Sequence, residues 1–174
     1  TASYESLVRA VREYGEERRW RRVVEAIIQA RGTGLLSRTM SAAELVSNAV
    51  GGRNFRQRIH PATKTFQGIR IAINGELEAL AVTLPKAFRA LKEGGVLAVI
   101  SFHSLEDRIV KRFMRKMAGR PESKYDGRAQ QDRIVCAKLN GSKAIFPGKE
   151  EVENNPRSRS ARLRFLTKLK QPEL

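Results

Sequence analysis

Cysteine occurs once in this 174-residue chain, at Cys136, so no disulfide can close within it and no thiolate cluster can gather a metal. Such usage suits a reducing compartment, the cytoplasm. Long apolar runs are missing too. None approaches the roughly 20 residues of a membrane-spanning helix, and no signal-peptide pattern opens the sequence. Acidic residues are scarce: 18 Asp and Glu stand against 34 Lys and Arg, a net charge of +16. A surface that positive attracts polyanions, nucleic acid first and acidic membranes second. The cations are spread along structured segments rather than gathered in a tail, which favours nucleic acid. The length suits one domain with a real core, or a core plus a small appendage, and there is no internal repeat.

Hydrophobic spacing predicts helices first. Tyr4, Leu7, Val8, Val11 and Tyr14 recur at three and four residues, as do Trp20, Val23, Val24, Ile27 and Ile28, with Gly15 separating the stretches. Ser41 and Glu44 predict a capping box opening a helix over 41–50, which Gly51-Gly52 stops. Arg53 to Arg58 reads as a basic connector. A helix follows Pro61 with Phe66, Ile69 and Ile73 on one face, and the helical pattern continues from Leu77 to Leu91, with Pro85 kinking or restarting the helix. After Gly94-Gly95, VLAVIS does not alternate and predicts a strand buried on both faces. Ser104 and Asp107 have N-cap and N3 spacing for the next helix, whose Ile109, Val110, Phe113, Met114 and Met117 point inward. A polar loop over 118–132 precedes two further strands, RIVCAKL and ARLRFLTKL. Helix, Gly-Gly, strand, helix is an α/β order.

Ligands of open α/β sheets bind beyond the carboxyl ends of strands, and FHSLED sits at that end of the clearest strand. A helix cap explains Ser104 and Asp107, and the helix dipole explains Glu106. Ser101 and His103 lack such an explanation, which makes them candidates for chemistry. A hydrolase triad is excluded, because Ser101, His103 and Asp107 lie too close in sequence and no G-x-S-x-G elbow exists. Gly32-Thr33-Gly34 and Gly94-Gly95 both miss the strand–glycine–helix order of a nucleotide loop. Cys136 reads as a small core residue. Arg157, Arg159, Arg162 and Arg164, interleaved with Ser158 and Ser160, suit phosphate contact.

Four stretches go beyond composition: YGEERRWRRVVEAII (14–28), HPATKTFQGIRIAIN (60–74), GGVLAVISFHSLEDRIVKRF (94–113) and NPRSRSARLR (155–164). In this order they closely resemble the bacterial ribosomal RNA small subunit methyltransferase H family, also called MraW, with the weakest likeness over 115–150. The resemblance implies S-adenosylmethionine-dependent methylation of cytidine N4 in the decoding region of small-subunit rRNA. It implies an α/β fold: the second half of a Rossmann-like methyltransferase core (60–174), preceded by a small all-helical insertion on the substrate side (1–59). The family's glycine-rich cofactor loop, acidic ribose-binding residue and Ser-Ser-Pro-Gln segment have no counterpart here. Cofactor-binding residues are therefore expected upstream of Thr1, and this chain resembles the C-terminal portion. No metal is implied.

An exocyclic amine is a poor nucleophile because its lone pair is delocalised into the ring. An acceptor for its N–H localises the pair and takes the proton. His103 and Ser101 are the candidate catalytic groups, with Asp107 orienting. Phe102 is a candidate for stacking on the base, and Arg157, Arg159 and Arg162 for holding the RNA backbone. His60 and Arg70 enter as substrate-side candidates through the family motif alone. The expected partner is rRNA or the small ribosomal subunit, not a membrane; a homodimer is compatible with the sequence. The alternative is a basic RNA-binding module without chemistry.

Overall fold

The computed structural model describes residues 2–52 and 59–171. Thr1 and the basic connector 53–58 lie outside them. The fold is mixed α/β, in two compact units that divide between Glu76 and Leu77. No helix among the described residues is long and apolar enough to cross a membrane.

The first unit is helical. α1 (Tyr4–Val8) is capped by Ser3, whose hydroxyl accepts the Ser6 N–H at 3.2 Å, and it widens at once into a π-helical turn over Arg9–Tyr14. Gly15 closes that turn by donating its N–H to the Ala10 carbonyl at 2.9 Å. The widening accompanies a close approach by α4 (Thr63–Asn74), made at Gly68. A β-carbon there would stand 2.0 Å from the Ala10 carbonyl oxygen and 2.5 Å from the Gly15 nitrogen. This crossing also decides which face of α4 is buried. Thr65, Gly68 and Ile71 turn inward, whereas Ile73 is 78% exposed, so the expected Phe66–Ile69–Ile73 stripe is corrected; of the three, only Phe66 packs on the core. α2 (Trp20–Gln29) and α3 (Thr39–Ala49) complete the unit around Leu7, Val11, Val23, Val24, Ile27 and Val46. The expected Ser41–Glu44 capping box is absent. The helix starts at Thr39, two residues before Ser41, and the Ser41 hydroxyl instead donates back to the Arg38 carbonyl.

The second unit builds α5 (Glu76–Ala90), β1 (Val96–Ser101), α6 (Ser104–Met117), β2 (Ala137–Leu139), α7 (Lys149–Asn154) and β3 (Arg162–Lys168). The strands form one antiparallel sheet in the order β1-β3-β2, with Val96 opposite Thr167 and Ser101 opposite Arg162. Leu84 and Phe88 of α5, and Val110, Met114 and Met117 of α6, pack with Cys136, Ala137 and Leu166. Cys136 is the small core residue its surroundings in sequence suggested. RIVCAKL joins the ladder only over 137–139, because the preceding chain is tied to the end of α6: Val135 bridges Ala118, and the Cys136 N–H meets the Met117 carbonyl at 2.8 Å. The polar segment 118–132 is fastened through Asp126, which accepts from Arg128 and Arg133, each at 2.9 Å.

β1 corrects the expectation of burial on both faces. Leu97 and Val99 meet the core, but Val96 is 52% and Ile100 59% exposed. Among the described residues β1 has a strand on one edge only, and the helices of this unit cover one face of it.

Lys168 is completely buried. Its ammonium donates to the carbonyls of Phe88 at 3.0 Å, Arg89 at 3.1 Å and Leu91, and stands 5.2 Å from the Phe88 ring centroid. A cation held on the carbonyls at the end of α5 offsets the helix dipole and part of the cost of desolvation.

Two stability effects are expected. Gly68→Ala drives a β-carbon into backbone, so urea unfolding should show a loss of about 2 kcal/mol or more. Lys168→Met keeps the side-chain length but removes the donor shared by the Phe88, Arg89 and Leu91 carbonyls, for an expected loss of about 2–3 kcal/mol. A melting curve unchanged in either variant would contradict the packing described.

Candidate functional site

The carboxyl end of β1 leads directly into α6, and the turn between them is locked by its own side chains. His103, extended at φ −139°, is the N-cap. Its Nδ1 accepts the Glu106 N–H at 3.4 Å, while Glu106 Oε2 accepts the N–H groups of Phe102 at 2.8 Å and His103 at 3.3 Å. This reciprocal box moves the expected Ser104–Asp107 cap one residue toward the strand: Ser104 is already helical, and His103 and Glu106 take the N-cap and N3 positions. Glu106 was legible in sequence only as a charge favourable to the dipole. The informative signal was His-x-x-Glu at N-cap and N3 spacing.

The carboxylate facing the imidazole is therefore Glu106, not Asp107. Glu106 Oε1 lies 3.3 Å from His103 Nε2, and the His103 side chain is only 10% exposed. With Nδ1 accepting, the bond pattern assigns the ring proton to Nε2. The contact with His103, opposed by burial and helped by the Phe102 and His103 N–H groups, holds the Glu106 carboxyl below its ordinary value.

Asp107 turns to β3. It accepts from Arg164 Nε at 2.6 Å and Nη2 at 3.1 Å, and from Arg162 Nη1 at 3.4 Å. Burial pushes its pKa up, but the two guanidinium groups outweigh this and leave it below the usual carboxylate value. Ser101 is buried, and its hydroxyl donates to the Arg162 carbonyl at 3.4 Å. Phe102, by contrast, is 54% exposed.

The register carries the rest of the cluster to the same place. Because Arg162 lies opposite Ser101, the 3₁₀ turn Pro156–Ser160 that feeds β3 is placed at the carboxyl end of β1. Asn155 caps that turn by accepting the Arg157 N–H at 3.2 Å, and Ser158 is buried with its hydroxyl on the Asn155 carbonyl. Arg157 and Arg159 remain exposed, with no ion pair among the described residues. Ser101, Phe102, His103, Asp107, Arg157, Arg159 and Arg162 thus belong to one end of one sheet. His60 and Arg70 lie in the helical unit. His60 Nδ1 accepts the Ala62 N–H at 3.2 Å, and Arg70 forms a two-pronged ion pair with Glu76 at 2.8 and 3.0 Å.

A nucleoside cofactor needs free backbone N–H groups or an acidic side chain turned toward it. At this sheet end the N–H groups of Phe102, His103, Glu106 and Asp107 are all taken, Asp107 faces two arginines, and no glycine opens the β1–α6 turn. These residues by themselves do not fit S-adenosylmethionine.

The sequence matches the MraW methylase family over residues 1–169. The chain belongs to that family. It is 49% identical over 168 residues to the ribosomal RNA small subunit methyltransferase H of Nitrosococcus oceani, covering 96% of this chain and 53% of that protein. The proteins of the same name from Coprothermobacter proteolyticus and Cereibacter sphaeroides are 45% and 47% identical, over 95% and 94% of this chain and 50% and 49% of theirs. The chain spans about half the length of these curated relatives.

Asp107 makes the site sensitive to acid. Its pKa is lowered on folding, so its stabilisation is full above the unfolded value of about 3.9 and is lost as pH falls toward the folded one. Asp107→Asn should cost about 2–3 kcal/mol at pH 7 and should flatten the fall in urea midpoint between pH 5 and 3. Parallel curves for the two proteins would remove Asp107 from this role.

Proposed function

We propose that this chain serves in S-adenosylmethionine-dependent methylation of cytidine N4 in the decoding region of small-subunit rRNA. The observation that carries the reading is the Ser101–Arg162 register, which joins an imidazole–carboxylate pair, an open aromatic ring and a basic turn at one sheet end. The names of the relatives supply the substrate class, small-subunit rRNA. On this reading the second unit is part of a Rossmann-like core, the helical unit is a substrate-side insertion, and the reaction takes place in the cytoplasm on rRNA or the small subunit.

The residues divide the work. Arg157 and Arg159 hold phosphates, with Arg162 oriented by Asp107. Phe102 offers a ring face to the target base. His103 is the acceptor for the amine proton: its Nδ1 is held only by the long contact to the Glu106 N–H, and the Glu106 carboxylate beside Nε2 offsets the charge that the ring then gains. Ser101 and Asp107 act through their partners, as positioning residues. His60 and Arg70 belong to the substrate side by the family motif.

The test supplies S-adenosylmethionine with a labelled methyl group, and small subunits from cells lacking the modification. The chain is assayed alone and together with the half of the Nitrosococcus oceani protein that it does not match. Label in N4-methylcytidine is expected with both halves. His103→Ala should then reduce methyl transfer at least a hundredfold while changing RNA affinity less than threefold. Equal losses of transfer and affinity would instead support the RNA-binding module without chemistry.

A further inference from the structure

The second unit contains a cleft that no step above uses. It is a shallow concavity between α6 and the turn following β2, lined by Lys111, Arg115, Arg120, Lys143 and Arg164. Among the described residues no carboxylate lines it. The remaining polar wall is Asn140-Gly141-Ser142, with Met114, Leu139 and Phe165 as an apolar floor. Two of the five cations are spoken for: Arg164 by Asp107, and Arg115 by the Pro121 carbonyl. Lys111, Arg120 and Lys143 are exposed and make no ion pair among the described residues.

Three uncompensated cations converging on one concavity repel each other, a cost that solvated side chains escape by splaying apart. An anion in the cleft removes it. The nearby acids offer no internal remedy, since Asp126 and Glu122 are engaged by Arg128 and Asp126 also by Arg133. We propose that this cleft binds a phosphodiester of the RNA backbone. Continuity with the sheet end favours a polymer over a small anion. Asp107 grips both Arg162, at the proposed substrate end, and Arg164, which lines the cleft, so a strand held at the first can continue to the second. Lysine and arginine side chains above an apolar floor suit contact with the phosphate backbone, which adds affinity that depends on salt.

The inference rests on the rRNA reading, and its test separates the two. The 174-residue chain and its Lys111→Ala/Arg120→Ala/Lys143→Ala variant are titrated with a small-subunit rRNA fragment across salt concentrations. A second variant, Lys86→Ala/Lys92→Ala/Lys149→Ala, removes the same charge from exposed positions outside the cleft. At about 0.7 per phosphate contact, the slope of log affinity against log salt should fall by about two in the cleft variant. Its affinity at low salt should fall at least tenfold, with thermal melting unchanged, and the control triple should stay near the parent. Equal falls in both triples, or none in the cleft triple, would overturn the cleft while leaving the rRNA reading in place. A parent chain with no salt-dependent RNA affinity would overturn both. Loss of binding to phosphatidylserine vesicles with RNA binding intact would assign the cleft to a membrane surface and overturn the proposal.

Discussion

One carboxylate organises the second unit. Asp107 stands in the first turn of α6 and binds two alternate residues of β3, the strand at the centre of the sheet. Alternate residues of a strand share a face, so Arg162 and Arg164 both reach the same acid. The ion pairs therefore fix the rotation of α6 about its axis as well as its distance from the sheet. Val110, Met114 and Met117 are thereby aimed into the core. Breaking a pair of this kind leaves two guanidinium groups and a carboxylate poorly hydrated, which is why its geometry is costly to disturb.

A second constraint acts on the neighbouring turn. The His103–Glu106 box satisfies backbone N–H groups on both sides of the strand–helix junction, so the junction is held without glycine or proline. The same residues that hold the backbone also set the imidazole against a carboxylate. The cap also decides the state of the ring: with Nδ1 accepting the Glu106 N–H, the proton of the neutral imidazole is on Nε2. The antiparallel β3 starts at this place, directly after the basic 3₁₀ turn, so Asp107 and Arg162, far apart in sequence, share one sheet end.

In the helical unit the comparable constraint is steric. Gly68 permits a helix to lie on the carbonyl of Ala10, and the π-helical turn at Arg9–Tyr14 lies under that contact. Thr65 sits in the same buried face with a hydroxyl that meets no hydrogen-bond partner among the described residues, a polar cost placed where the helices approach most closely.

Much of this was readable in the sequence alone. The helices over 4–14, 20–29 and 104–117, the strand VLAVIS, the strand ARLRFLTKL (formed over Arg162–Lys168), Cys136 in the core and the stop at Gly51-Gly52 follow from periodicity and local backbone preference, which act within a few residues. The family, too, was legible, because its motifs are contiguous. Tertiary structure decided what depends on a neighbour distant in sequence. Ile73 faces outward because Gly68, not Phe66, marks the line of closest packing. Val96 and Ile100 are exposed because only one face of β1 is covered in this unit. Glu106 rather than Asp107 faces His103 because β3 supplies two arginines that claim Asp107. Periodicity tells which residues can be buried or capped; the partner that claims each charge is chosen only when strands and helices meet.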